Sequence, residues 1–583
     1  MTRSPSLKSG ILGAALLTAT AGMAHAQATC MGKSGPDVIV GTLTGPQNYT
    51  SSGGIDALSL GTTSCNMGTQ TLRWDALPAN THPVIGGNLY KFKSVSGSGR
   101  FEQIGLSWLK HGFLALANSD CCTCLNPGTG ALLGIGCSDP YTASRNGGQG
   151  GMGPRWQVNA HTGGYPAANP VTPTGGNNGR IQVLTTDLEV SSATVKYFGE
   201  SQYVTPDDAT AGNQNNNASY IGVTVTGGPE FTFAFTGSTQ RAISAIRAWA
   251  LQETGVTLTD VQVPGDGLYV VGSKATSIGG GLFHYEYAIY NMNGDRNGGS
   301  FSVPVPNAAN ITNIGFHGVT YRGGDGNGGV SFSNTAWTGV ASGGTVTWIC
   351  TSQAVDNNAN AIRWGTTYNF RFDADVAPAA ANNNVTLGMW KAPTVGSPAV
   401  SVPALAQLPG CSPVTAISSQ PSPATACPID SINLTVGVTA AGTPTYQWQR
   451  ETATVGVFTN LSNGSTNSWD GNIPGVGGII SGATTGTLNI AADTAASKVL
   501  SYAHAIRFQA VVTGGCGAAV TSNPAQISLC LADYNCSHTV EIQDIFDFLA
   551  GFFAQDNRAD FDHLNGITVS DIFSFLGAWF AGC

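Results

Sequence analysis

Asp533-Tyr534-Asn535-Cys536-Ser537 leads into Asp544-Ile545-Phe546-Asp547-Phe548-Leu549. Asp560-Phe561-Asp562 then leads into Asp571-Ile572-Phe573-Ser574-Phe575-Leu576. The offsets 560 − 533 and 571 − 544 both give 27. Two registers that agree on one period mark a duplicated unit. In each copy oxygen-bearing residues precede an apolar run with helical spacing. Ile545, Phe548, Leu549 and Phe552 fall at i, i+3, i+4 and i+7, and Phe546 and Phe553 widen the face. The second run repeats this with Ile572, Phe573, Phe575, Leu576, Trp579 and Phe580. Two short helices cannot bury that many aromatics between them. Ile545, Phe546, Leu549, Phe552, Ile572, Phe573, Leu576 and Trp579 are therefore predicted to include a face for a partner.

The plan is that of half an EF-hand, written twice. In the first loop Asp533, Asn535, Ser537, Thr539 and Asp544 hold positions one, three, five, seven and twelve. A hard cation such as calcium takes oxygens of this kind, with position seven giving its backbone carbonyl. His538 stands where such loops turn sharply on a glycine. In the second loop Asp560, Asp562 and Asp571 hold positions one, three and twelve, with Gly566 at seven. Leu564 at position five cannot ligate, and Asn565-Gly566 beside it suits a tight turn. One calcium ion is expected in the first loop, with the second loop short of a ligand.

The doubled Asp-Ile-Phe-x-Phe-Leu and the closing Trp579-Phe580-Ala581-Gly582-Cys583 resemble a dockerin, of the short GC-type anchor found on secreted bacterial proteins. The likeness covers about the last tenth of the chain. It implies that each repeat is a calcium loop plus one helix, and that the pair binds a cohesin-like module or another cell-surface protein. Cys530 and Cys583 bracket this module, and a bridge between them would clamp its ends.

Outward from the tail, 583 residues imply several domains. Gly is 78 and charged residues are 10%, against a hydrophobic share of 42%; this suits turn-rich β-structure with real cores. The net charge is −9 and no Lys/Arg run occurs, which argues against a nucleic-acid or anionic-membrane partner. Residues 1–26 read as a secretory signal: Arg3 and Lys8, an apolar centre over 11–17, and Ala24-His25-Ala26 for cleavage. No apolar run is long enough to span a bilayer. A secreted or surface-associated protein is expected. Its 13 cysteines then read as disulfides, with Cys30, Cys65, Cys121, Cys122, Cys124, Cys137, Cys427, Cys516, Cys530 and Cys583 as candidates.

The fold class predicted is mainly β and multidomain. Period-2 segments such as His284-Tyr285-Glu286-Tyr287-Ala288-Ile289-Tyr290 and Tyr368-Asn369-Phe370-Arg371-Phe372 mark strands with one buried face. Two β-sandwich-like lobes are expected, 27–200 with a cysteine cluster and 201–392 with one helix over 239–253. In that helix Ala242, Ile243, Ile246, Trp249 and Ala250 share a face. A Pro-spaced linker or edge segment covers 393–410. Residues 411–530 resemble an immunoglobulin-like sandwich, carried by Tyr446-Gln447-Trp448-Gln449 and Phe508-Gln509-Ala510-Val511-Val512. Ala510 stands where that family's second cysteine falls, so Cys427 and Cys516 are considered as a substitute bridge. The small all-α module covers 531–583.

Three constellations bear on catalysis, the first of them open to two readings. Cys121, Cys124, Cys137 and His111 have zinc-capable residue types, but clustered cysteines in an exported chain favour disulfides. His111, Ser138 and Asp139 could form a hydrolytic triad, yet no Gly-x-Ser-x-Gly elbow accompanies them. Asp207-Asp208 with 213–217 could bind calcium or a sugar, or simply build a polar turn. His284 and Glu286 share a strand face, with His317 elsewhere, and suit either an acid/base pair or a solvated sheet. Phrases such as Gly136-Cys137-Ser138-Asp139-Pro140-Tyr141 and Gly153-Pro154-Arg155 resemble uncharacterised secreted bacterial proteins, which implies no activity. No catalytic residue is assigned. The expectation is a secreted, non-catalytic binding or structural protein docked through its tail. The alternative is a hydrolase acting on polysaccharide, delivered by the same tail.

Overall fold

A computed structural model describes residues 32–95, 97–166, 173–228, 230–307, 309–394, 399–410, 414–440, 444–452, 454–466, 478–492, 506–515, 518–562 and 564–583. The signal segment 1–26 and Cys30, Cys411 and Cys516 lie outside them. Most of the described chain is strand, in several antiparallel sheets. It divides into two compact units. One holds residues up to 303 with 309–342 and 346–409; the other holds 410–583 with two short pieces, 304–308 and 343–345.

The first unit begins with an 11-stranded sheet. Its main path runs Val38–Ser52, Ile55–Asn66, Ile181–Leu184, Ser98–Leu106, Val84–Val95, Val195–Val204, Ala218–Gly227 and Phe231–Gln240. The two end strands meet. Asn48 Nδ2 donates to the Phe233 carbonyl at 3.1 Å, and Asn48 Oδ1 accepts from the Phe233 N–H at 2.8 Å. Ties of this kind protect sheet edges that would otherwise be open to other strands. The lobe boundary expected near residue 200 is not there. Val195–Val204 pairs on both sides, with Glu200 opposite Asn88 and Tyr220. The change of sheet comes between Gln240 and Thr257.

The helix expected over 239–253 shrinks to a 3-10 turn, Ala245–Ala248, running into Trp249–Gln252. The strand Phe231–Gln240 claims the expected start, and Ala242 sits at φ 55°, which no α-helix continues. Ile246 and Trp249 are buried as the pattern required, whereas Ala242, Ile243 and Ala250 are exposed.

Two five-stranded sheets complete the first unit. One carries Leu268–Gly279, Leu282–Asn291 and Thr366–Ala374 at its centre; the other is centred on Gly298–Pro304. They face each other through aromatic rings. Phe301 lies 5.3 Å from Tyr287 and 5.0 Å from Phe370, and Trp348 lies 5.3 Å from Phe370. Inside 393–410, Ser401–Ala406 is a strand paired with Asn383–Met389, with alternating burial. Ser401–Ala406 is thus a sheet edge, where Pro403 is tolerated.

The second unit holds an immunoglobulin-like sandwich of a six-stranded and a four-stranded sheet. Trp448 is fully buried, stands opposite Ala510 and donates from Nε1 to the Thr485 carbonyl at 2.9 Å. The bridge considered between Cys427 and Cys516 is not made, because Cys427 is a free thiol turned towards Asp533. After the sandwich come the helices Ile542–Phe553 and Val569–Ala581. Phe548 and Phe575 stack face to face at 4.2 Å, and Tyr534 and Phe561 each meet both rings edge-on. Each pair is related by the same offset of 27, so the written repeat is also a packing repeat.

Cys530 and Cys583 are disulfide-bonded, closing the ends of the helical pair. Cys65 is bonded to Cys121, Cys124 to Cys137, and Cys122 is also in a disulfide. Among the described residues no helix is long and apolar enough to cross a membrane.

Candidate functional site

The tail loops are built by one device used twice. In the first, Asp544 is fully buried; its Oδ2 accepts from the Glu541 N–H at 2.8 Å and its Oδ1 from the Asn535 N–H at 3.1 Å. In the second, Asp571 Oδ2 accepts from the Thr568 N–H at 2.7 Å and Oδ1 from the Asp562 N–H at 2.9 Å. One carboxylate therefore caps its helix and folds the preceding loop over it, which also suits the positive end of the helix. Burial pushes the Asp571 carboxyl up. The N–H groups of Asp562 and Thr568 outweigh that and hold it below the ordinary carboxylate range.

Ligand geometry differs between the copies. One carboxylate oxygen each from Asp560, Asp562 and Asp571 lie within 4.8 Å of one another. Asn565 and Gly566 turn the loop at φ 62° and 71°. Leu564 points no oxygen inward; its N–H bonds Asp562 Oδ1 at 2.9 Å and its side chain is exposed. In the first loop Asp533 Oδ1 and Asn535 Oδ1 both accept from the Ser537 N–H at 2.9 Å. The Ser537 hydroxyl donates to the Thr539 carbonyl at 3.2 Å, and His538 sits at φ 67°. Both donor sets are hard oxygens, the kind calcium takes. The cluster of three carboxylates is in the second loop, the one that lacks a ligand at position five.

The predicted partner face separates into two sets. Ile545, Leu549, Phe552, Ile572, Leu576 and Trp579 pack against the tail's own core. Phe546 and Phe573 are exposed, at 60% and 70%. Phe553 and Phe580, one further pair in the same register, are exposed at 78% and 79%. Sequence spacing gives Phe553 as widening the first face and counts Phe580 in the second run, with neither among the predicted partner residues.

The N-terminal constellations resolve differently. The cysteine disulfides remove the zinc arrangement. Ser138 Oγ donates to Asp120, Asp139 accepts from Trp74 and Leu116, and His111 Nδ1 lies 2.8 Å from His82 Nε2, so no triad assembles. Asp208 accepts from the Val38 N–H and from Asn217, while Asn213 donates to the Ser34 and Pro36 carbonyls. That loop staples the start of the first strand.

His284 does meet Glu286, at 3.2 Å, and meets Asp373 at 2.6 Å through its other nitrogen. Glu286 is also paired bidentately with Arg100 at 2.9 and 3.1 Å. Burial lowers the His284 pKa, but hydrogen bonds and charge from the two carboxylates outweigh that and raise it; each ring nitrogen faces a carboxylate oxygen. Arg100, Glu286, His284 and Asp373 thus form one polar network across the sheet. His317 lies 3.8 Å from Glu102.

No family model matches the chain, and no curated protein is similar to it. Several solved immunoglobulin-domain structures are similar at low identity. A chimeric titin Z1Z2 tandem is 10% identical over 42% of this chain and 90% of its own, with a TM-score of 0.17. Extracellular domains 3–5 of Drosophila OTK are 10% identical over 84% and 97%, with a TM-score of 0.16. Immunoglobulin domains 1–4 of Sidekick-1 are 10% identical over 85% and 95%, with a TM-score of 0.15. The sandwich around Trp448 has its own two sheets and core as support.

Two features of the first unit left no trace in the sequence. A small cavity of about 20 Å³ is lined by Trp108, Arg155, Arg180, Arg322 and Arg363, with one carboxyl, Asp325. Burial pushes Asp325 up to about 6. Arg155 is buried and donates to the carbonyls of Ser107, Gly87 and Gly365. Glu200 is also fully buried, with Asn88, Tyr90 and the Ala245 N–H as donors; burial raises its pKa despite them. These groups come from distant segments, so no local spacing announces them.

Proposed function

We propose that the chain is an exported, non-catalytic binding or structural component that attaches through its C-terminal, dockerin-like helical pair. The observation that carries this reading is the carboxylate cluster of Asp560, Asp562 and Asp571 beneath a helical pair that leaves Phe546, Phe553, Phe573 and Phe580 in solvent. Calcium in the loops would be held by Asp560, Asp562, Asp571 and the Gly566 carbonyl, and by Asp533, Asn535, Ser537, Thr539 and Asp544. The partner is a folded cell-surface protein, cohesin-like in offering an apolar face to these rings. The disulfides are consistent with an extracellular setting. The polysaccharide-hydrolase reading gains nothing from the Arg-lined cavity, which offers one carboxyl where glycoside hydrolysis uses two.

Calorimetric titration of the full chain with calcium tests the reading. Binding is expected, weakened by Asp562→Asn, which keeps the acceptor for the Leu564 N–H but removes the charge. Leu564→Asp, which supplies position five, is expected to tighten it. Absence of any calcium-dependent heat in all three proteins would refute the calcium part of the reading.

A further inference from the structure

Cys536, inside the first loop, has no role in ligation, and Cys427, at the start of the sandwich, has no bridge. They lie more than a hundred residues apart in sequence, yet the fold brings them to the same carbonyl. The Cys427 thiol, 1% exposed, contacts the Asp533 carbonyl at 3.5 Å and donates to Asp533 Oδ2 at 3.2 Å. The Cys536 thiol contacts the same carbonyl at 3.8 Å. Cys536 is held at φ 59°, a conformation that aims its β-carbon unusually and that a residue chosen only for the turn would fill with Gly or Asn.

We propose that Cys427 and Cys536 form a disulfide in the mature protein, fastening the first loop to the immunoglobulin-like sandwich. Disulfides elsewhere in the chain show that it is built for an oxidising setting. The oxidant is an external disulfide of the class that closes those bridges. The half-buried Cys536 thiolate attacks one sulfur of that disulfide and releases its first thiolate. The buried Cys427 thiolate then attacks Cys536 Sγ in the mixed disulfide and releases the second. The two protons end on the two released thiolates, and one disulfide is consumed for one formed. Cys350, Cys427 and Cys536 are the free cysteines among the described residues, and closing this pair leaves Cys350 as the one free thiol among them. With Cys530–Cys583 at the other end, the module would be tied down at both its loop and its terminus. The inference stands independently of calcium.

Full-length protein is exposed to oxidised glutathione, blocked with an alkylating agent and digested without reduction. Mass spectrometry is expected to find the peptides of Cys427 and Cys536 joined, and to find them separate after reduction. Quantitative alkylation of both thiols, or Cys427 joined to any other cysteine, overturns the proposal. Cys427→Ser, Cys536→Ser and the double variant provide a second reading. A shared bridge predicts equal falls in melting temperature for both single variants, no further fall for the double, and alkylation of the surviving partner in each single. Additive falls, with the surviving cysteine unreactive, overturn it.

Discussion

His538 shows how much one residue in a repeat can say. It occupies the left-handed region at φ 67°, and its equivalent 27 residues on, Asn565, sits at 62°. Asn tolerates that conformation; a histidine β-carbon there is strained by roughly 1 kcal/mol. His538→Gly is therefore expected to stabilise the tail by about 1 kcal/mol, read as a higher denaturant midpoint of the C-terminal transition. An unchanged or lower midpoint would mean that the imidazole makes contacts that outweigh the strain. Position numbering alone exposed this site, because turn chemistry is local. Ligand order was less legible. The first loop has the fuller set of ligand positions, whereas the carboxylates gather in the second. Charge count and convergence are different properties, and a sequence prints only the first. Cys427 illustrates the same limit, since its partner is decided by how the sandwich meets the loop.

At the scale of elements, helical period was legible wherever a helix makes its own core. The spacing of Phe548 and Phe575 put them on the inner face, and they stack at 4.2 Å. The same spacing could not divide the remaining apolar residues between core and solvent, because that depends on the angle at which the two helices cross. The division makes a prediction. Phe575→Ala should cost about 3–5 kcal/mol, as the loss of a fully buried aromatic does. Phe573→Ala, its exposed neighbour, should change stability by less than about 0.5 kcal/mol and yet weaken capture of the cell-surface partner. Denaturant unfolding of both variants checks the first statement. Destabilisation by Phe573→Ala equal to that of Phe575→Ala would place the ring in the core and remove it from the docking face. Where an element borrows its stability from others, the period misled: 239–253 has a helical pattern, but a strand takes its start and the fully buried Glu200 receives the Ala245 N–H.

Across the whole molecule, class and order of domains were readable from alternation and turn composition, but not the position at which one sheet gives way to the next. Residue 200 has turn-rich sequence after it and still lies mid-strand, because long-range pairing with Val84–Val95 decides the matter. A short strand paired with the start of Val84–Val95, Leu109–His111, brings in a buried histidine couple that carries a pH signature. His82 and His111 touch at 2.8 Å, are ringed by Phe113 and Tyr165, and are both lowered, chiefly by burial; His111 falls to about 4. The folded state thus keeps His111 neutral while the unfolded chain protonates it near 6.5, so the unfolded state binds more protons in between. Its contribution is fully present above about 6.5 and is lost as pH falls towards 4, by about 3 kcal/mol. Asp208 and Asp139 act in the opposite sense, since burial raises them to about 7 and about 6 and the fold gives up their contribution as pH rises. The wild-type profile therefore mixes both trends, and a variant separates them. His111→Gln is expected to lose stability relative to wild type at pH 7.5, and to recover about 2.5 kcal/mol of that difference by pH 4.5. Calorimetric unfolding of the two proteins across this window measures it. A difference that stays constant with pH would show that His111 is already protonated, or equally solvated, in the folded state.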